Sequence, residues 1–155
     1  TRIGLELVEL TEAFRTSAFN AFRGAVEKGG IVKCLPVHDA DALSRSEIDR
    51  LEAFVRKELG ARGLAWIRVQ ADGEWQSPIA KFLGASERAA IASATGARPG
   101  SLLFFQADAA ARANAVLSRL RIDLGRRLGR VDGRALRRIT QAFEAAAARA
   151  HKRRE

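Results

Sequence analysis

Cysteine, tyrosine and methionine are almost missing from this chain, which has one Cys, no Tyr and no Met in 155 residues. A lone thiol cannot close an internal disulfide, so a disulfide-stapled secreted scaffold is excluded. Cys34 sits in the apolar run from Ile31 to Val37 and reads as core filler. No apolar run approaches the roughly 18 residues that a membrane span requires, and the first residues lack a basic segment followed by an apolar signal core. The expectation is a soluble cytoplasmic protein without a membrane partner. Enzyme signatures are missing as well: there is no Gly-x-x-x-x-Gly-Lys-Ser/Thr loop, no Gly-x-Ser-x-Gly elbow, no Cys-x-x-Cys and no His-Glu-x-x-His.

What is present suits one globular domain with an extension. The length allows roughly 70% of the unfolded surface to be buried, and 47% hydrophobic with 29% charged residues is ordinary for a folded protein. The charge is unevenly placed. Residues 119–155 hold 12 Lys/Arg against 4 Asp/Glu, a net of +8 out of the chain's +9. That asymmetry points to a polyanionic partner for the C-terminal end.

Along the chain, Ile3 to Leu7 alternates weakly and reads as a strand, with Thr11 placed to cap a turn of helix through Phe14. Phe19 to Arg23 reads as a second strand, and glycines at 24, 29 and 30 lead into a third, Ile31 to Val37. In that third strand Ile31, Lys33, Leu35 and Val37 share one face, and Val32, Cys34 and Pro36 the other. Ser44 with Glu47 forms a capping box before the helical stripe Ile48, Leu51, Phe54, Val55 and Leu59, and Gly60 supplies the stop. A strand from Ala65 to Val69 follows, with Asp72-Gly73 as a turn signal. Ser77-Pro78 reads as a helix start, Ser86 to Thr95 as a helix closed by Gly96, and Ser101 to Ala107 as a central strand. Phe104 and Phe105 face opposite sides of that strand, so both its faces need cover. From Ala109 onward the pattern is helical, interrupted between Gly129 and Gly133.

Chemistry-bearing candidates are few. His38, Asp39 and Asp41 offer metal-type donors close together, yet three such residues ahead of a helix suit a polar loop with cap donors. Ser77 and Lys81 lie four apart, as a lysine-activated serine would, but Ser77 has a structural use as a cap and no oxyanion site is evident. Lys81 fits a surface charge with its stem beside Phe82. No residue is assigned to catalysis or to a metal. The binding candidates are arginines: Arg119 and Arg126, which recur with Arg112 every seven residues, followed by Arg127, Arg130, Arg134, Arg137 and Arg138. Guanidinium forks match phosphate oxygens in pairs. No aromatics are interleaved, so the contact would be with phosphates rather than with stacked bases. The same residues also suit a solvated face, and the stripe from Leu136 to Ala150 suits a partner protein.

Five segments in order carry a resemblance: Arg2 to Leu7, Leu43 to Glu47, Gly63 to Val69, Ser77 to Leu83 and Gly96 to Phe105. Together they resemble the insertion (GAD) domain of bacterial-type aspartyl-tRNA synthetase, a domain type that also occurs in a subunit of some glutamyl-tRNA amidotransferases. The resemblance covers about residues 2–130. It implies an α+β fold, a two-layer α/β sandwich whose antiparallel sheet has helices packed on one face, with a C-terminal helical extension at 131–155. It also implies a noncatalytic module of the aminoacylation machinery. In that family the domain interrupts the class II catalytic core, whose use of ATP and magnesium depends on residues outside the insertion, so none of those roles maps onto this chain. The implied partners are tRNA, the rest of a synthetase or another protein. After Gly129 the family returns to its catalytic sheet through an aromatic segment, whereas here Val131 to Arg134 leads into a basic helix. A small RNA-binding or partner-binding protein acting through these basic helices is the alternative.

Overall fold

A computed structural model describes residues 5–40 and 43–127. Five strands form one antiparallel sheet: β1 (Val8–Glu9), β2 (Ile31–Val37), β3 (Ala65–Val69), β4 (Trp75–Gln76) and β5 (Leu102–Asp108), in the order β1-β2-β5-β3-β4. Four helices accompany them: α1 (Asn20–Glu27), α2 (Arg45–Glu58), α3 (Ala85–Thr95) and α4 (Ala110–Arg127).

The longest ladder joins β2 to β5 over seven pairs, from Ile31 opposite Asp108 to Val37 opposite Leu102. β3 pairs with β5 over a shorter stretch, from Arg68 opposite Leu102 to Ala65 opposite Phe105. Period-two alternation sorts the side chains into two cores. Leu35, Val37, Trp66, Leu102 and Phe104 pack with Ile48, Leu51 and Val55 of α2 and with Val116, Leu117, Leu120 and Leu124 of α4. Val32, Cys34, Ile67, Leu103 and Phe105 pack with Phe22 and Val26 of α1 and Ile91 of α3.

The α+β class and the antiparallel sheet are as the sequence indicates, but the helices are not confined to one face of the sheet. β5 carries large apolar groups on both sides, and Phe104 and Phe105 are each fully buried. One helical layer could cover only one of them.

Several local devices act as read from the sequence. Ser44 Oγ accepts the Glu47 amide at 3.2 Å while the Glu47 carboxylate accepts the Ser44 amide, closing the capping box on α2. Gly60 and Gly96 both lie in the left-handed region, at φ 69° and 67°, just beyond α2 and α3. The β3–β4 hairpin turns at Gly73, whose amide donates to the Gln70 carbonyl.

Three expectations are corrected. Phe19 to Arg23 is not a strand; the helix α1 starts at Asn20 because Phe22 and Val26, one turn apart, bury together against the sheet. The first strand of the described residues is Val8–Glu9, paired with Cys34 and Lys33; of the expected strand Ile3 to Leu7, residues 5–7 do not join the sheet, Leu5 dropping into the α2/α4 core, and residues 3 and 4 lie outside the described residues. Ser77 caps no α-helix. Its Oγ donates to the Trp66 carbonyl at 2.6 Å and accepts from the Ile79 amide at 3.0 Å, pinning a single 3-10 turn, Ala80–Phe82, back on β3. The division between residues 130 and 131 lies outside the described residues.

Candidate nucleic-acid interface

α4 follows β5 through Asp108, whose carboxylate accepts the Ala109 amide at 2.7 Å just ahead of the helix start. Ala113, Val116, Leu117, Leu120 and Leu124 form its buried stripe. The seven-residue recurrence then places Arg112, Arg119 and Arg126 in line on an exposed face.

These arginines differ in what already holds them. Arg112 lies 3.6 Å from the Asp108 carboxylate, and Arg119 lies 3.6 Å from Asp123, both one helical turn away. The Arg119 guanidinium also stands 5.8 Å from the centre of the Phe54 ring on α2. Exposed pairs of this kind hold a side chain loosely, at about 0.3–0.5 kcal/mol, so Arg119 can exchange its carboxylate for a phosphate. Arg126 is exposed and makes no ion pair among the described residues. Arg121 is turned differently, its Nε buried without a hydrogen-bond partner. Arg127 is the last residue of α4. Arg130, Arg134, Arg137 and Arg138 lie outside the described residues, so α4 carries the part of the basic series that can be placed.

Other cations in the sheet region are bound into the structure. Arg68 donates to the carbonyls of Leu43 and Ala40, and Arg88 to those of Ala80 and Leu83. Lys33 donates to Asn114 Oδ1 at 2.6 Å, tying β2 to α4. Arg45 lies over the Trp66 ring at 4.9 Å.

The remaining chemistry-bearing residues have structural settings. Ser77 is used on β3 as described, and the Lys81 ammonium stands 5.1 Å from the Phe82 ring centre rather than beside Ser77. His38 Nδ1 shares a 2.8 Å hydrogen bond with Ser101 Oγ, and Arg98 lies 3.3 Å from Asp39. Asp41 lies outside the described residues. Among the described residues no group of three or more His, Cys, Asp or Glu is placed to hold a metal ion. Cys34 is fully buried, and burial pushes its thiol pKa well up. No described helix is long and apolar enough to cross a membrane.

Sequence reading did not single out Lys28, Arg56 and Arg62. They come from the end of α1, from α2 and from the α2–β3 loop, and they line a groove of about 760 Å³. The only sequence signals there are glycines. Gly30 packs so closely that an added Cβ would stand 2.6 Å from the Asp108 carbonyl oxygen.

An antiparallel α+β domain with helices on both faces of its sheet and a basic helical face is the class these elements define. Comparison with known proteins gives its family. The GAD domain model matches residues 22–117, and the chain belongs to that family. It is 50% identical over 128 residues to the aspartate–tRNA(Asp/Asn) ligase of Syntrophotalea carbinolica, which covers 83% of this chain and 21% of that protein. Similarity to the enzyme of the same name from Desulfotalea psychrophila is 45% over 131 residues, covering 84% and 21%. The aspartate–tRNA ligase of Shouchella clausii is 43% identical over 136 residues, covering 87% and 23%. The chain therefore spans about a fifth of the length of these relatives and corresponds to their insertion domain.

Proposed function

We propose that this chain acts as a noncatalytic module of the tRNA aminoacylation machinery, as the insertion domain of an aspartate–tRNA ligase. The observation that carries the proposal is the 43–50% identity to ligases of that name over more than four fifths of the chain. ATP and magnesium chemistry belongs to the remainder of such a ligase, and this domain contributes protein and tRNA contacts. Aspartate-dependent ATP–pyrophosphate exchange with the chain alone should give no signal above background; clear activity would overturn the reading.

Within that role, the basic series beginning at Arg119 and Arg126 supplies phosphate contacts to tRNA. Its support is the exposed seven-residue spacing on α4 together with the +8 net charge of residues 119–155. Neutralising phosphates releases counterions, so affinity should fall steeply with salt. The test is a tRNA titration at two salt concentrations, comparing the chain with one cut after Arg130. Weaker binding and a shallower salt slope for the shortened chain are expected; equal affinity for both would remove the tail arginines from the interface. A stand-alone RNA-binding protein would make the same contacts, and tRNA binding without any dependence on a ligase would favour it.

A further inference from the structure

β5 changes character along its length. β2 accompanies it from Leu102 to Asp108, whereas β3 pairs only from Leu102 to Phe105. Beyond Ala65 the β3 chain leaves the sheet, and the Gly63 carbonyl is taken by the Gln106 side chain at 2.6 Å. The β3-side edge of β5 is therefore unpaired from Gln106 to Asp108, with Gln106 itself buried and Ala107 and Asp108 partly exposed.

The groove of about 760 Å³ lies along that open edge. α1 walls it on one side of the sheet, through Ala21, Gly24 and Ala25, and α2 on the other, through Glu52 and Arg56. A space bounded by a strand edge on one flank and by a helix above and below has the shape of a missing strand. Three residues at about 3.4 Å each would run the length of the open edge.

Charge selects among possible occupants. Arg56 is paired with Glu52 at 2.8 Å, and Asp108 is occupied by the Ala109 amide and by Arg112. Lys28 and Arg62 remain without a carboxylate partner among the described residues, so the slot has uncompensated positive charge. Gly24 adds a steric indication. It lies inside α1, where glycine is less favourable than alanine, yet an added Cβ would meet nothing within 4 Å. The domain's own packing does not require glycine there, whereas a backbone seated in the slot would.

We propose that this slot receives an extended acidic polypeptide segment, which adds to β5 where β3 stops and places carboxylates by Lys28 and Arg62. This is β-augmentation, with main-chain hydrogen bonds giving affinity and the flanking charges giving selectivity. A nucleic-acid strand would also answer the charge, but the nearest aromatic faces are engaged with each other, Phe19 stacked on Phe82 at 5.3 Å and 4°.

The test uses the full chain labelled with nitrogen-15 and three probes: a capped seven-residue peptide of alternating threonine and glutamate, its lysine counterpart, and a single-stranded eight-nucleotide RNA. The acidic peptide should shift the amide resonances of Gln106 to Ala109 and of Lys28 and Arg62. The Lys28→Glu/Arg62→Glu double variant should weaken its binding at least tenfold and favour the lysine peptide. Gly24→Leu should abolish binding while leaving the rest of the amide spectrum dispersed, which separates blockage from unfolding. Three outcomes overturn the proposal: no shift at those amides at millimolar peptide, equal shifts with both peptides, or shifts with RNA alone. None of the three bears on the ATP exchange or on the α4 arginines, so this inference fails or stands separately from the proposed function.

Discussion

At its Leu102 end β5 is a central strand, and at its Asp108 end it is an edge. The first end is closed by a dense set of bonds: Val69 donates to the Ser101 carbonyl, Gly100 to the Val69 carbonyl and Ala40 to the Gly100 carbonyl, each at 2.9 Å. Arg68 adds side-chain bonds to the carbonyls of Ala40 and Leu43. At the other end β2 alone pairs, and the opposite flank is a groove. The difference teaches that one strand can anchor a core and also present an interface, because backbone pairing is satisfied locally rather than strand by strand.

The contrast can be broken most strongly at the closed end. Leu102 is fully buried, so Leu102→Ala should cost about 2–5 kcal/mol in urea unfolding, through lost transfer energy and the cavity left behind. Arg68→Ala should come next, at about 1.5–3 kcal/mol, since two carbonyls lose a charged donor; a loss under half of that would show that water replaces the guanidinium. Near the open end Gly30→Ala forces a Cβ against the Asp108 carbonyl and should cost about 1–3 kcal/mol of stability. The smallest effect has the opposite sign. Gly24→Ala, in the groove wall, should raise stability by about 0.5–1 kcal/mol, read as a higher urea midpoint with unchanged slope. Destabilisation there would mean that the groove wall is packed after all.

How much of this could be read from the residues alone follows from where the information sits. α2 was legible because its start, stripe and stop are contiguous: Ser44, Glu47, Ile48, Leu51, Val55 and Gly60 each act as their spacing indicates. The faces of β2, β3 and β5 were legible from alternation alone. Phe19 to Arg23 misled because five residues rich in aromatics fit a strand as well as a helix. What decides is Phe22 meeting Phe105 at 5.9 Å, far away in sequence, and Phe14 at 4.8 Å across the intervening turn. The arginines of α4 were visible as a period. The groove was not, because Lys28, Arg62 and Gln106 share no spacing and meet only once α1, the α2–β3 loop and β5 are in place.

The two tryptophans divide between the sheet's faces: Trp66 is buried among the α2 and α4 side chains, and Trp75 packs with the α1 and α3 core. Each helical layer therefore carries its own fluorophore. With Trp66→Phe and Trp75→Phe made separately, the emission of the remaining indole follows one layer through a denaturant series. Coincident midpoints would mean that the shared sheet couples both layers into one cooperative unit. Separated midpoints would show which layer loosens first, each single-tryptophan variant reporting on one layer.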